Sequence, residues 1–272
     1  MLIPDVRIGF VGGGNMAEAI IRGMLGRGWG RDRLSVTVRS PERGARWSGL
    51  GVRTVCGNRE LAGGSDVVVL CVKPQVFAET VGAELSGLVD GKLVVSVMAG
   101  VGTARIGEAL GGGCRVVRTM PNVALSVGAG VTGVVAGAGA NEADVELVRK
   151  VFSCAGEVVD LPDEGLMHAF TAVCGSGPAY LFYLAEAMAE AGGSAGLKGL
   201  EVDRMVRATL LGASRLLEAE GDAVGAAGLR ARVTSRGGVT AAAMAVMEEG
   251  GLRGLVGEAI RSGAARSEAL GG

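Results

Sequence analysis

The chain has 272 residues, enough for one large domain or two modest ones with a real core. Its 27 Lys and Arg against 28 Asp and Glu leave a formal charge of −1, which excludes the basic footprint of a nucleic-acid binder. A single histidine, and 5 cysteines with no CxxC pair, exclude a His-rich metal centre and zinc-ribbon spacing, so no metal is expected.

The opening "MLIPDVRIGFVGGG" lacks a basic stretch followed by a long apolar run, so it does not read as a signal peptide. Together with scattered free thiols, this makes a cytoplasmic location the expectation. The first strand, "VRIGFV" (6–11), runs through a glycine turn into the helix "NMAEAIIRGML" (15–25). Gly12-x-Gly14-x-x-Ala17 therefore falls between strand and helix, where glycine permits a tight turn and close approach of backbone to a pyrophosphate, and Ala17 permits helix packing. The phosphates of a dinucleotide would meet the helix N-terminus.

The second strand, "LSVTVR" (34–39), ends in Arg39 and Ser40, where an NAD enzyme usually offers a carboxylate to the ribose. A cation and a hydroxyl suit a 2′-phosphate, so NADPH is preferred and NADH remains possible. A solvated charge cluster with Glu42 and Arg43 is the bland alternative. Further apolar strands follow at "DVVVLCV" (66–72), "KLVVSVM" (92–98) and "CRVVRTM" (114–120), with a helix predicted over "PQVFAETVGAEL" (74–85). Strands apolar on both faces, alternating with helices, indicate a parallel sheet covered on each side. Ligands lie across the carboxyl ends of such strands, so "CVKPQ" (71–75) and "SVMAGV" (96–101) should border the nicotinamide ribose.

The uncharged stretch "VALSVGAGVTGVVAGAGA" (123–140) is long enough to test as a membrane span, but its five glycines and short valine clusters fit buried strands joined by turns. After "GEVVDL" (156–161) the composition turns to Ala, Leu, Glu, Arg and Met, broken at glycine-rich points. A boundary near Leu161 thus divides an α/β Rossmann-type domain, 1–161, from an all-helical domain, 162–272. The Ala-rich helix faces suit packing against a second copy, giving a homodimer or an assembly of dimers. His168 and Cys174 read as packing residues, and Met244 and Met247, at helical spacing, read as core.

"GFVGGGNMAEAI", "VKPQ", "SVMAG", "RTMPN", "CGSGPAY" and "VTSRGGVT" resemble, in order and spacing, the motifs of the pyrroline-5-carboxylate reductase family. The resemblance implies NADPH-dependent reduction of a cyclic imino acid to proline. It implies that Val11, Gly12, Gly13, Gly14, Asn15 and Met16, with Arg39 and Ser40, bind the cofactor phosphates and ribose, and that Asn58 contacts the adenosine side. Cys71, Val72, Lys73 and Pro74, with Met98, Ala99 and Gly100, would line the nicotinamide half. Ser235, Gly237, Gly238 and Val239 would take the substrate carboxylate, and Thr240 would point its hydroxyl at the substrate nitrogen. The chain departs from the family at Arg236, where a proline is usual, and at Val123-Ala124, where Thr-Pro is usual. It also lacks the usual His-Pro in "EGDAVGAAGLRARV". These departures keep open a reductase of a six-membered cyclic imine or a deazaflavin-linked enzyme. A dinucleotide-binding paralogue without turnover is the alternative of another class.

Overall fold

The computed structural model describes residues 3–38, 41–77, 82–197 and 201–271. Its backbone forms two compact units, residues 3–176 with 261–271, and residues 177–260. The composition change near Leu161 is therefore not where the packing divides: residues 162–176, and the last helix from Arg261 onward, belong with the sheet.

The first unit is built on an eight-stranded sheet in the order β3-β2-β1-β4-β5-β6-β7-β8. The strands are β1 (Ile8–Val11), β2 (Leu34–Thr37), β3 (Arg53–Val55), β4 (Val67–Leu70), β5 (Leu93–Ser96), β6 (Arg115–Pro121), β7 (Gly130–Ala136) and β8 (Gly156–Asp160). Both faces are apolar because alternate residues of each central strand enter different cores. Ile8, Phe10, Val67 and Val69 pack with Ile20, Met24 and Phe152 on one side. Val11, Val68 and Leu70 pack with Leu61, Phe77 and Leu110 on the other. The helices covering these faces are α1 (Asn15–Gly26), α2 (Pro41–Ser48), α3 (Asn58–Gly63), the short α4 (Ala83–Leu85), α5 (Thr103–Ala109) and α6 (Glu142–Phe152). Of the helix expected over 74–85, residues 74–76 form a 3-10 turn and 83–85 form α4, while residues 78–81 lie outside the described residues.

All described pairings are parallel except β6 with β7. The reason is local: the link between β6 and β7 holds only a 3-10 turn, Val123–Val127, too short for the crossover that parallel strands need. The uncharged stretch 123–140 thus becomes one turn and one strand. Among the described residues no helix is long and apolar enough to cross a membrane.

Two polar groups tie the far end of the sheet together. Asn122, buried after β6, accepts from the Ala124 and Val131 amides at 3.2 and 3.3 Å and donates to the Cys174 carbonyl at 3.1 Å. That carbonyl belongs to a single π-turn, 171–175, which follows α7 (Leu166–Phe170). Glu164 accepts from the Thr103 amide at 2.9 Å and the Thr103 hydroxyl at 2.7 Å, capping α5 from across the fold, and from Arg118 Nη1 at 3.0 Å. Arg118 is buried in β6, and its Nε and Nη2 find no partner among the described residues.

The second unit contains α8 (Gly177–Ser194), α9 (Val202–Arg232), α10 (Val239–Glu249) and the start of α11 (Leu252–Ala269). Glycine breaks α9 internally at Gly225, where φ is +68°. Neither α8 nor α10 buries a residue within the chain, so Met244 and Met247 are not core here: the first is half-buried and the second exposed.

Burial raises the Glu164 carboxyl, but hydrogen bonds from Thr103 and Arg118 outweigh it and hold the group below its ordinary value of 4.5. A carboxylate lowered on folding stabilises the native state above its unfolded pKa, and that contribution disappears as pH falls through the folded value. Glu164→Gln, which strands the buried Arg118 cation, should therefore cost about 3 kcal/mol at neutral pH by urea unfolding. The gap to the native chain should narrow as the pH is taken below 4.5. A gap that does not change on acidification would mean that the charge on Glu164 contributes nothing.

Candidate active site

The sheet order reverses at β1, which has β2 on one side and β4 on the other. In an open α/β sheet this is where the strand ends leave a crevice. The turn from β1 into α1 is fixed by the three glycines, each for a different reason. Gly12 has φ of +99°, and a Cβ there would lie 2.8 Å from the Cys71 carbonyl oxygen. Gly13 lies against the indole of the fully buried Trp47, 2.8 Å from Nε1 to the position of a Cβ. Gly14 is different, because a Cβ there would meet nothing within 4 Å.

No protein atom therefore accounts for the missing side chain at Gly14. It is the N-cap of α1, with extended φ and ψ of −84° and −174°, and no side chain caps the helix. The first amides of α1 are left for a partner from outside the chain. Open space above Gly14 and uncapped amides beneath it together fit a phosphate group. The loop itself is already satisfied on its other side: Thr37, ending β2, accepts from the Gly12 amide through its hydroxyl at 2.9 Å and from the Gly13 amide through its carbonyl at 3.0 Å.

A cleft of about 390 Å³ opens beside this loop. Val11, Gly12, Gly13 and Gly14 form one wall, and Asn58, Cys71, Val72 and Lys73 are brought to it from the ends of β3 and β4. Thr37, Val38, Cys56, Val76 and Glu84 also line it and were not expected from the sequence. Thr37 had a legible signal, a hydroxyl residue at the carboxyl end of a strand. Glu84 had none, because its place depends on the fold of the whole segment after β4. Its Oε2 accepts from Asn58 Nδ2 at 2.6 Å, which orients the Asn58 amide at the cleft wall.

Cys56 is exposed, whereas Cys71 is desolvated beneath the glycine loop, which pushes its thiol up to about 12. At neutral pH Cys71 is an uncharged wall of the cleft rather than a nucleophile. Pro74 opens the 3-10 turn that follows Lys73. Asn15 and Met16 border a second cleft, of about 510 Å³, with Arg22, Arg46 and Val123. Within it Glu18, almost fully buried, pairs with both Arg22 and Arg46. Met98, Ala99 and Gly100 follow β5, with Met98 buried and Gly100 turning at φ of +79°. Arg39 and Ser40 lie outside the described residues.

The remaining expected residues are in the second unit. Gly237 has φ of +71°, and Gly238 is the N-cap of α10 with φ and ψ of −82° and 174° and no side-chain cap. The Gly238 amide already donates to the Ser235 carbonyl at 3.0 Å, so it is not free to serve as an anion donor and its part is conformational. Val239 is 90% exposed and Thr240 half-buried, placing both at the open first turn of α10. Arg236 is exposed beside them. His168, passed over from sequence, lies with Nδ1 3.0 Å from the Ser267 hydroxyl.

Residues 164–270 match the family model described as pyrroline-5-carboxylate reductase dimerisation, and residues 7–100 match the one described as NADP oxidoreductase, coenzyme F420-dependent. The pyrroline-5-carboxylate reductase of Corynebacterium melassecola is 35% identical, over 97% of this chain and 98% of the relative. That of Synechocystis is 37% identical, over 98% and 99% respectively. The solved structure of the pyrroline-5-carboxylate reductase from Coxiella burnetii superposes with a TM-score of 0.91 at 35% identity, covering 99% of this chain and all of that one. With this identity over nearly the whole length of both chains, the chain belongs to the pyrroline-5-carboxylate reductase family.

Proposed function

We propose that this chain reduces 1-pyrroline-5-carboxylate to L-proline with NADPH. The observation that carries the reading is the glycine turn into α1, where Gly14 leaves the helix uncapped beside an open cleft. Gly14 and Gly238 have almost the same backbone angles, and each opens a helix whose amides no side chain caps. One such terminus suits a pyrophosphate, and the other suits the carboxylate of a small amino-acid-like substrate.

Bound NADPH supplies the hydride that goes to the imine carbon. The α1 amides hold the phosphates, Arg39 and Ser40 the 2′-phosphate, and Asn58 the adenosine side. The Cys71–Pro74 and Met98–Gly100 loops orient the nicotinamide half. Val239 and Thr240 amides, with the Ser235 hydroxyl, hold the carboxylate in the loop shaped by Gly237 and Gly238. The Thr240 hydroxyl donates toward the ring nitrogen, which must gain a proton as the carbon gains hydride. No metal or buried acid is required of this site, since a neutral hydroxyl donor and a well-placed nicotinamide suffice to reduce a C=N bond and the protein's contribution is orientation.

The helical residues 162–272 serve substrate binding and dimerisation in this reading. Phe182 and Tyr183 of α8 are 67% and 75% exposed, and Leu255 of α11 is 63% exposed. A single chain leaves this much apolar surface uncovered only when another surface is meant to cover it. A second copy is the occupant that the dimerisation match favours. A reducing cytoplasm is the setting that the free cysteines favour in this reading.

The direct test is oxidation of NADPH, followed by absorbance, with pyrroline-5-carboxylate and with its six-membered homologue. The five-membered ring should be the faster substrate, and no oxidation with either, despite measured NADPH binding, would sink the enzyme reading. Gly14→Ala should shift the thermal midpoint little and weaken NADPH binding at least tenfold, roughly the loss of a charge-assisted hydrogen bond. Gly13→Ala should instead lower the midpoint, because its Cβ meets Trp47. The opposite pattern would remove Gly14 from the phosphate site. Thr240→Ala is expected to lower kcat by about a hundredfold with NADPH affinity unchanged, and an undiminished kcat would exclude its hydroxyl from proton transfer.

A further inference from the structure

The loop after β5 is gripped by residues far away in sequence. Residues 267–271 lie directly on Gly100: a Cβ there would be 2.8 Å from both the Ser267 carbonyl oxygen and Leu270 Cβ. Conversely, a Cβ on Gly271 would fall well inside van der Waals contact distance of the Gly100 carbonyl oxygen. These are largely backbone-to-backbone contacts, which side-chain rotation cannot relieve. Both segments belong to the first unit.

The gripping segment is itself tied down. Arg105 Nη1, from the first turn of α5, donates to the Gly271 carbonyl at 2.8 Å. Ser267 is buried, and its hydroxyl lies 3.0 Å from His168 Nδ1. From the other end of the loop, Glu164 holds Thr103 by its amide and hydroxyl. Residues 98–102 thus run between two anchors: 267–271 packed on Gly100, and Glu164 backed by the buried Arg118.

We propose that residues 267–271, with Arg105, act as a positioning element for the reaction, setting the height and tilt of the Met98–Gly100 backbone against which the nicotinamide half lies. The proposal rests on the reading of that loop as part of the nicotinamide surface. Hydride transfer is steeply sensitive to donor-acceptor geometry, so a backbone support that moves by a fraction of an ångström is felt in the chemical step. The adenosine half is held on the far side of β1 and should not sense it.

Gly271→Ala and Arg105→Gln perturb the support without touching the cofactor, and Arg105→Lys keeps a cationic donor of similar reach. The measurements are kcat and KM for the imine, the isotope effect with NADPH deuterated at the transferred position, and the dissociation constant of 2′,5′-ADP, which fills only the adenosine half. Gly271→Ala should lower kcat by roughly ten- to a hundredfold. The isotope effect should rise as hydride transfer becomes limiting, 2′,5′-ADP affinity should stay unchanged, and Arg105→Lys should recover what Arg105→Gln loses. An unchanged kcat in Gly271→Ala would overturn the proposal. So would a loss of 2′,5′-ADP affinity in step with kcat, since that reports general loosening. Ala99→Val, placed in the loop itself, separates the two levels. If it slows hydride transfer and Gly271→Ala does not, the positioning role fails alone. If it leaves hydride transfer intact, the loop is not a nicotinamide surface and both readings fall.

Discussion

Uncapped amides at the start of a helix are the constraint around which this structure is arranged. A polar side chain at the N-cap can meet it, as Asn141 does for α6, where its amide oxygen accepts from the Asp144 amide. A glycine in an extended conformation takes the cap position instead at α1, α3, α5 and α10, and at α5 Glu164 accepts from the first amide of the helix. At α1 the rest of the first unit works to keep that terminus exposed and rigid. Thr37 absorbs the Gly12 and Gly13 amides, Trp47 fills the space behind Gly13, and Cys71 abuts Gly12. The donors that remain point at the crevice where the strand order reverses.

The parts that hold the loops are polar and long-range, whereas the parts that hold the sheet are apolar and local. Apolar runs in β1, β4 and β5 supply two cores whose burial is the main stabilising term, since apolar area removed from water is what a sheet covered on both faces maximises. Asn122, Glu164 and Arg118 add little area but decide where β7, the π-turn and α5 begin. Among the described residues Arg118 reaches only one partner with one nitrogen, so its burial is tolerated for the sake of the Glu164 junction rather than for stability as such.

The second unit follows a different economy. Its helices bury almost nothing within the chain and leave aromatic and aliphatic side chains of α8 and α11 in water. These helices lie within residues 164–270, which match the pyrroline-5-carboxylate reductase dimerisation model. Arg236 stands exposed at the edge of the Gly-Gly loop, and nothing in the structure explains its presence in place of proline.

Much of the site was legible in the sequence because it is written in residues with few alternatives. A strand, three glycines and a helix with Ala17 at the packing position restrict the backbone so tightly that the turn can be read without coordinates. The apolar runs of the central strands were equally clear, while β3 was missed, being three residues at a sheet edge with one fully buried side chain. Other features arise from contacts between residues scores of positions apart: Gly13 against Trp47, Asn58 with Glu84, Gly100 beneath Leu270 and Gly271, and the boundary that leaves 162–176 with the sheet. Local propensity and periodicity determined the elements and the phosphate turn of this chain, because those depend on neighbours within a few residues. The tertiary structure alone decided which distant backbone segments touch, because close approach depends on packing that no short stretch encodes.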